Sequence, residues 1–146
     1  MRVGVDCTRR AALAMLACML MSTGAAFAQD PRAAAVQKAA RDWLALADNL
    51  DAAATWKAAG AQFQQAITVA QWVEGMRRER EPRGALVQRT AIATSFASSL
   101  AGQSEDGNYA LLTFRTSFAN SGSGGEDVTL QMGSDGVWRV IGYVIR

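Results

Sequence analysis

The chain has 146 residues, half of them apolar and 19% charged, with no histidine, two cysteines and a formal charge of +2. These numbers describe one small globular domain and exclude a disordered or repeat-built chain. Without histidine, the Ser-His-Asp and Cys-His nucleophiles, an imidazole base near neutral pH and metal sites that need imidazole are all closed.

Residues 1–28 read as a secretory leader. Arg2, Arg9 and Arg10 give a positive start, Ala11 to Met21 an apolar run, and Ala26-Phe27-Ala28 a small-x-small cleavage site, so the cut is expected before Gln29. The run is about half the roughly 20 residues a spanning helix needs, so no membrane span is expected after cleavage. Met15-Leu16-Ala17-Cys18 loosely resembles a lipobox, but apolar residues still follow Cys18. Thr8 to Leu13 loosely resembles a twin-arginine signal, but no cofactor motif downstream calls for export in the folded state. The expected location is periplasmic or secreted, and residues 29–146 form the mature domain. Cleavage removes both cysteines, three of the 15 basic residues and one of the 13 acidic ones, leaving 12 of each sign. A neutral, thiol-free domain has no global field to draw nucleic acid and cannot use disulfides, so it must rely on core burial.

The first helix is expected from Pro31, with Asp30 as cap and Val36, Ala40, Trp43, Leu44, Ala47 and Leu50 on one stripe. Asp48 to Asp51 reads as a break, with Asp51 capping a short second helix through Trp56 that Gly60 ends. A further helix begins at Thr68 with Gln71 in capping-box position, carries Val69, Trp72, Val73 and Met76, and stops at Pro82-Arg83-Gly84. After Gly84 the apolar period changes from about 3.6 to 2. Strands are expected near Ala85 to Phe96, Asn108 to Ala119, Glu126 to Met132 and Val137 to Ile145, with Ser121 to Gly125 as a flexible connection. The last strand is apolar on both faces except at Arg139, which suggests a central or covered position. The fold class is α+β, N-terminal helices packed on one face of a curved four-stranded antiparallel sheet.

Trp43, Asp48, Trp56, Trp72, Arg77, Gly84, Arg89, Asp106-Gly107-Asn108-Tyr109, Phe114, Phe118, Glu126 and the closing Gly136-Val137-Trp138-Arg139 with Gly142-Tyr143 resemble domain of unknown function 4019, a group of small secreted bacterial proteins. The resemblance spans nearly the whole mature chain. It implies a cystatin-like or nuclear-transport-factor-like cone and an exported location, and it carries no catalytic residues.

Candidate binding residues are Arg89 and Arg115 on strands, Glu126 entering a strand, Tyr109, Tyr143 and Trp72. An Arg89 or Arg115 pair with Glu126 could hold a carboxylate or peptide terminus if enclosed, whereas a solvated strand-face pair is the ordinary outcome. The four tryptophans suit core packing, with an aromatic wall for a flat ligand as the alternative. Asp48 and Asp51 are ordinary turn and cap residues, and the charged run Arg77 to Arg83 is expected to be a solvated helix end. The Ser-Gly run lacks the lysine and helix of a phosphate loop, and the Asp-Gly turns offer too few oxygens for calcium, so neither cofactor nor metal is expected. Two functions remain. One is a non-catalytic module for a small molecule, peptide or protein, with a homodimer through Ile141, Tyr143 and Ile145 on the outer sheet face as one version. The other is a cone-fold enzyme with Asp48 or Glu126 as base and Tyr109 or Tyr143 as donor.

Overall fold

The computed structural model describes residues 30–103 and 105–146; the leader and its cleavage site lie outside them. Among these residues four helices come first: α1 (Arg32–Asp48), α2 (Ala52–Ala58), α3 (Ala61–Ala66) and α4 (Val69–Glu79), followed by a 3-10 turn over Glu81–Arg83. Four strands follow: β1 (Leu86–Ala97), β2 (Tyr109–Phe118), β3 (Gly122–Met132) and β4 (Trp138–Ile145). They form an antiparallel meander in the order β1-β2-β3-β4, with the helices packed on one face.

The α1 stripe buries Val36, Ala40, Trp43, Leu44 and Ala47, as the three- and four-residue spacing requires. Its start is tied by the Asp30 carboxylate, which accepts the Arg32 N–H at 2.9 Å. Its end is a Schellman motif: the Leu50 N–H donates to the Ala47 carbonyl and the Asp51 N–H to the Leu46 carbonyl. Leu50 therefore takes the left-handed position usually given to glycine, at φ +58°, and its side chain is half exposed. Asp51 then caps α2 by accepting the Ala54 N–H at 2.9 Å. Thr68 and Gln71 close both halves of the expected capping box on α4.

Three expectations need correction. Gly60 does not simply end α2; it also opens α3, a helix too short for its single buried residue, Phe63, to show a period. The Gly60 N–H donates to the Val140 carbonyl at 2.8 Å on the outer edge of β4, and a Cβ here would lie 2.9 Å from the Ile141 side chain. The close approach explains the glycine. Second, β3 begins at Gly122, so the glycine run is strand rather than a loose connection. The tight turn comes just before it, with Gly122 at φ +61°. Gly125 exchanges two backbone hydrogen bonds with Arg146, at 3.1 and 2.8 Å, and a Cβ at Gly124 would collide with the Arg146 carbonyl.

Third, β4 is an edge strand, and its apolar residues do not alternate simply. Leu130 pairs with Val140 but Thr129 pairs with Gly142, which leaves Ile141 as an extra residue in the ladder. The bulge reverses the alternation. Tyr143 stands opposite the buried Val128 and Ile145 opposite the buried Glu126, both on the helix-covered face. The expected outer trio of Ile141, Tyr143 and Ile145 is thus split. The outer face of the central strands is largely polar: Thr113, Arg115, Ser117, Asp127, Thr129 and Gln131, with Leu111 half exposed among them.

The core between helices and sheet is filled by side chains. Val36, Ala40, Trp43, Leu44 and Ala47 from α1 and Met76 from α4 meet Ala110, Leu112, Phe114, Val128, Leu130, Trp138 and Val140 from the sheet. Burial on this scale is what a thiol-free domain depends on.

Candidate functional site

Where the apolar stripes reach the ends of α1 and α4, they deliver charge instead of hydrocarbon. Asp48 lies four residues beyond Leu44 and ends α1; Arg80 lies four beyond Met76 and follows α4. From the sheet, Arg89 stands next to Thr116 across β1 and β2, and Glu126 lies on the inward alternation with Val128 and Leu130. These side chains meet. Arg89 Nη1 and Nη2 donate to Asp48 at 2.7 and 2.9 Å, while Nε and Nη2 donate to Glu126 at 2.6 and 3.1 Å. Arg80 Nη2 donates to Asp48 at 3.2 Å and Nη1 to the Gly84 carbonyl at 2.7 Å. Glu126 also accepts the Thr116 hydroxyl at 2.6 Å and the Tyr143 hydroxyl.

Arg80 and Glu126 have no solvent exposure. Two guanidinium groups and two carboxylates balance in charge, and the bidentate geometry offsets desolvation better than single contacts would. Burial alone pulls the Arg89 guanidinium toward neutrality; hydrogen bonds to Asp48 and Glu126, with their charges, outweigh it and push its pKa further up. Burial, then the neighbouring Glu126 charge and hydrogen bond, holds the Tyr143 phenol well above its ordinary range. Arg80 also stacks over the Phe118 ring, 4.2 Å from its centroid, while its Nε has no hydrogen-bond partner among the described residues. The cluster links α1, the end of α4 and all four strands.

Of the six candidate residues, the structure brings three together. Arg89 and Glu126 form the enclosed pair rather than the solvated one, and Tyr143 joins them. Arg115 lies apart on the outer face, beside Gln88, Thr90, Ser117 and Ser123. Tyr109 is fully buried elsewhere, donating to the Glu105 carbonyl at 3.0 Å and accepting from Gln131 at 3.4 Å. Trp72 packs among Trp43, Phe63 and Tyr143 and donates to the Thr55 hydroxyl at 2.8 Å. Asp48 exceeds its expected turn role, and Arg80 is a correction to the solvated helix end. Its neighbours keep to the surface, with Glu74 paired to Arg77 and Arg78 to Glu79. Sequence reasoning took Asp48 as a turn residue or a candidate base and missed Arg80; the signal that both point inward was the continuing four-residue spacing, Leu44 to Asp48 and Met76 to Arg80.

A groove of about 370 Å3 runs between α4 and β4. Ile67, Trp72, Met76, Tyr143 and Ile145 line it, and Gln71, Arg78 and Glu79 form its rim. Gly75 also faces this groove, and a Cβ there would meet nothing within 4 Å. A mid-helix glycine costs about 1 kcal/mol relative to alanine, and here no packing within the described residues requires it. The Tyr143 ring joins the groove to the charge cluster behind it. Among the described residues no group of three or more Cys, Asp and Glu is arranged to hold a metal ion, and no helix is long and apolar enough to cross a membrane.

Residues 39–143 match the family model described as protein of unknown function (DUF4019). The chain belongs to the DUF4019 family. No curated protein and no solved structure matches it significantly. The residues that carried the resemblance can now be placed in this DUF4019 domain. Asp48, Arg89, Glu126 and Tyr143 form the charge cluster, Gly84 and Phe118 hold Arg80, and Trp43 and Trp72 pack against Tyr143. Near the terminal motif, Arg139 pairs with Asp135 across the β3–β4 turn, and the bond to Arg139 holds the Asp135 carboxyl down at about 2.

Proposed function

We propose that this DUF4019 protein is an exported, non-catalytic binding module that takes an apolar small ligand or peptide segment in the groove between α4 and β4. The observation that carries the reading is a division between acids and accessible space. Asp48 and Glu126 are each bound by arginine within the fold, while the open concavity nearby is floored by Trp72 and Tyr143. An aromatic floor with a few polar rim groups is the usual composition of a small-molecule site. The enzyme reading needs a carboxylate free to take a proton from substrate; Glu126 instead accepts from Arg89, Thr116 and Tyr143 without solvent exposure. Export rests on the leader pattern of residues 1–28.

The test uses 1-anilinonaphthalene-8-sulfonate as an apolar probe of the purified protein, with Gly75→Leu filling the groove from the α4 side. Saturable binding that Gly75→Leu abolishes without lowering the melting temperature is the expected result. Binding unaffected by that substitution would refute the groove.

A further inference from the structure

The geometry points to an extended peptide as the occupant of this groove, added as a fifth strand along the exposed edge of β4; this rests on the groove being the binding face. Gly125 and Arg146 exchange both of their backbone hydrogen bonds. In an antiparallel ladder such pairs alternate with pairs whose N–H and C=O groups point away from each other. The pairings Glu126 with Ile145, Asp127 with Val144 and Val128 with Tyr143 therefore turn the Tyr143 and Ile145 backbone groups outward. The Val140 carbonyl, in the same outward phase on the other side of the bulge, is taken by the Gly60 N–H. No described residue takes the outward groups of Tyr143 and Ile145.

The proposed slot thus has two surfaces. One is a row of alternating partial charges, donor and acceptor, which an extended backbone complements and a compact apolar molecule does not. The other is the apolar side of α4, where Trp72, Gly75 and Met76 leave room for side chains. From Gln71 to Glu79 the helix rises about 12 Å, the length of roughly four extended residues. The groove rim pairs Arg78 with Glu79, so the matching segment is uncharged with alternate apolar side chains. A second copy pairing edge to edge would bring its own α4 over the same line. Neighbouring strands lie about 4.8 Å apart, whereas packed helices need about 8–10 Å, so a single chain fits better than a second domain.

The experiment adds a pool of capped octapeptides, alternating threonine with valine, leucine, isoleucine or phenylalanine, to the purified protein and follows backbone amide exchange by NMR. The expected result is slowing at Tyr143 and Ile145 by about tenfold or more, lost with Gly75→Leu and with N-methylated twins of the peptides. Equal binding of methylated and unmethylated peptides would overturn strand addition while leaving the groove reading intact. So would failure of every peptide while the apolar dye still binds. Protection of the same amides that rises with protein concentration alone would overturn it in favour of a second copy. Loss of dye binding as well would instead refute the groove itself.

Discussion

Glu126 shows how much one side chain can hold in place: it receives Arg89 from β1, Thr116 from β2 and Tyr143 from β4. Removing only its charge leaves Arg80 and Arg89 facing Asp48 with one positive charge unbalanced in the interior. Breaking a buried pair from one side costs about 3–5 kcal/mol, so Glu126→Gln should lower the urea unfolding free energy by that order. Tyr143 gives a pH prediction. Its phenol is held protonated in the fold, so its stabilising contribution is full below about pH 10, where an unfolded tyrosine ionises, and is lost as pH rises beyond that. The native protein should therefore lose stability above about pH 10 more steeply than Tyr143→Phe, as measured by thermal melts across that range. Equal slopes for the two proteins would contradict the buried placement of the phenol.

At the scale of elements, α4 is anchored by few residues, since only Met76 among its eleven is buried. Local terms then matter more. Thr68→Ala opens the capping box and should cost about 1 kcal/mol. Gly75→Ala places a methyl group in open space and should stabilise by about 1 kcal/mol. Both are read from chemical denaturation; destabilisation by Gly75→Ala would mean that the groove is already filled in the native protein. Helices α1 and α4 were legible because their stripes and caps are local signals, Trp43 with Leu44 and Ala47, and Thr68 with Gln71. Helix α3 was not, because six residues with one buried side chain carry no period, and its position depends on Gly60 reaching β4.

For the whole molecule, the succession of helices and then a four-stranded meander followed from the change of apolar period after Gly84. What the pattern did not reveal was long-range register. The extra residue at Ile141 moves Tyr143 and Ile145 from one face to the other, and nothing local to Val140-Ile141-Gly142 announces that shift. Candidate-site legibility divides in the same way. Arg89, Glu126 and Tyr143 were recognisable as chemistry-bearing side chains, but their meeting with Asp48 and Arg80 required the packing of both helix ends over the sheet. Arg115 and Tyr109 share residue types with the cluster yet lie elsewhere. Two adjoining regions thus take two roles, structure in the buried charges and, as proposed above, binding in the α4–β4 groove. Dye-binding isotherms and melting curves taken together on Gly75→Leu and Glu126→Gln test that division most directly. The account predicts that Gly75→Leu loses binding with a melting temperature no lower than the native one, while Glu126→Gln melts lower and binds normally at temperatures where it is folded. Retained binding in Gly75→Leu together with lost binding in folded Glu126→Gln would contradict it.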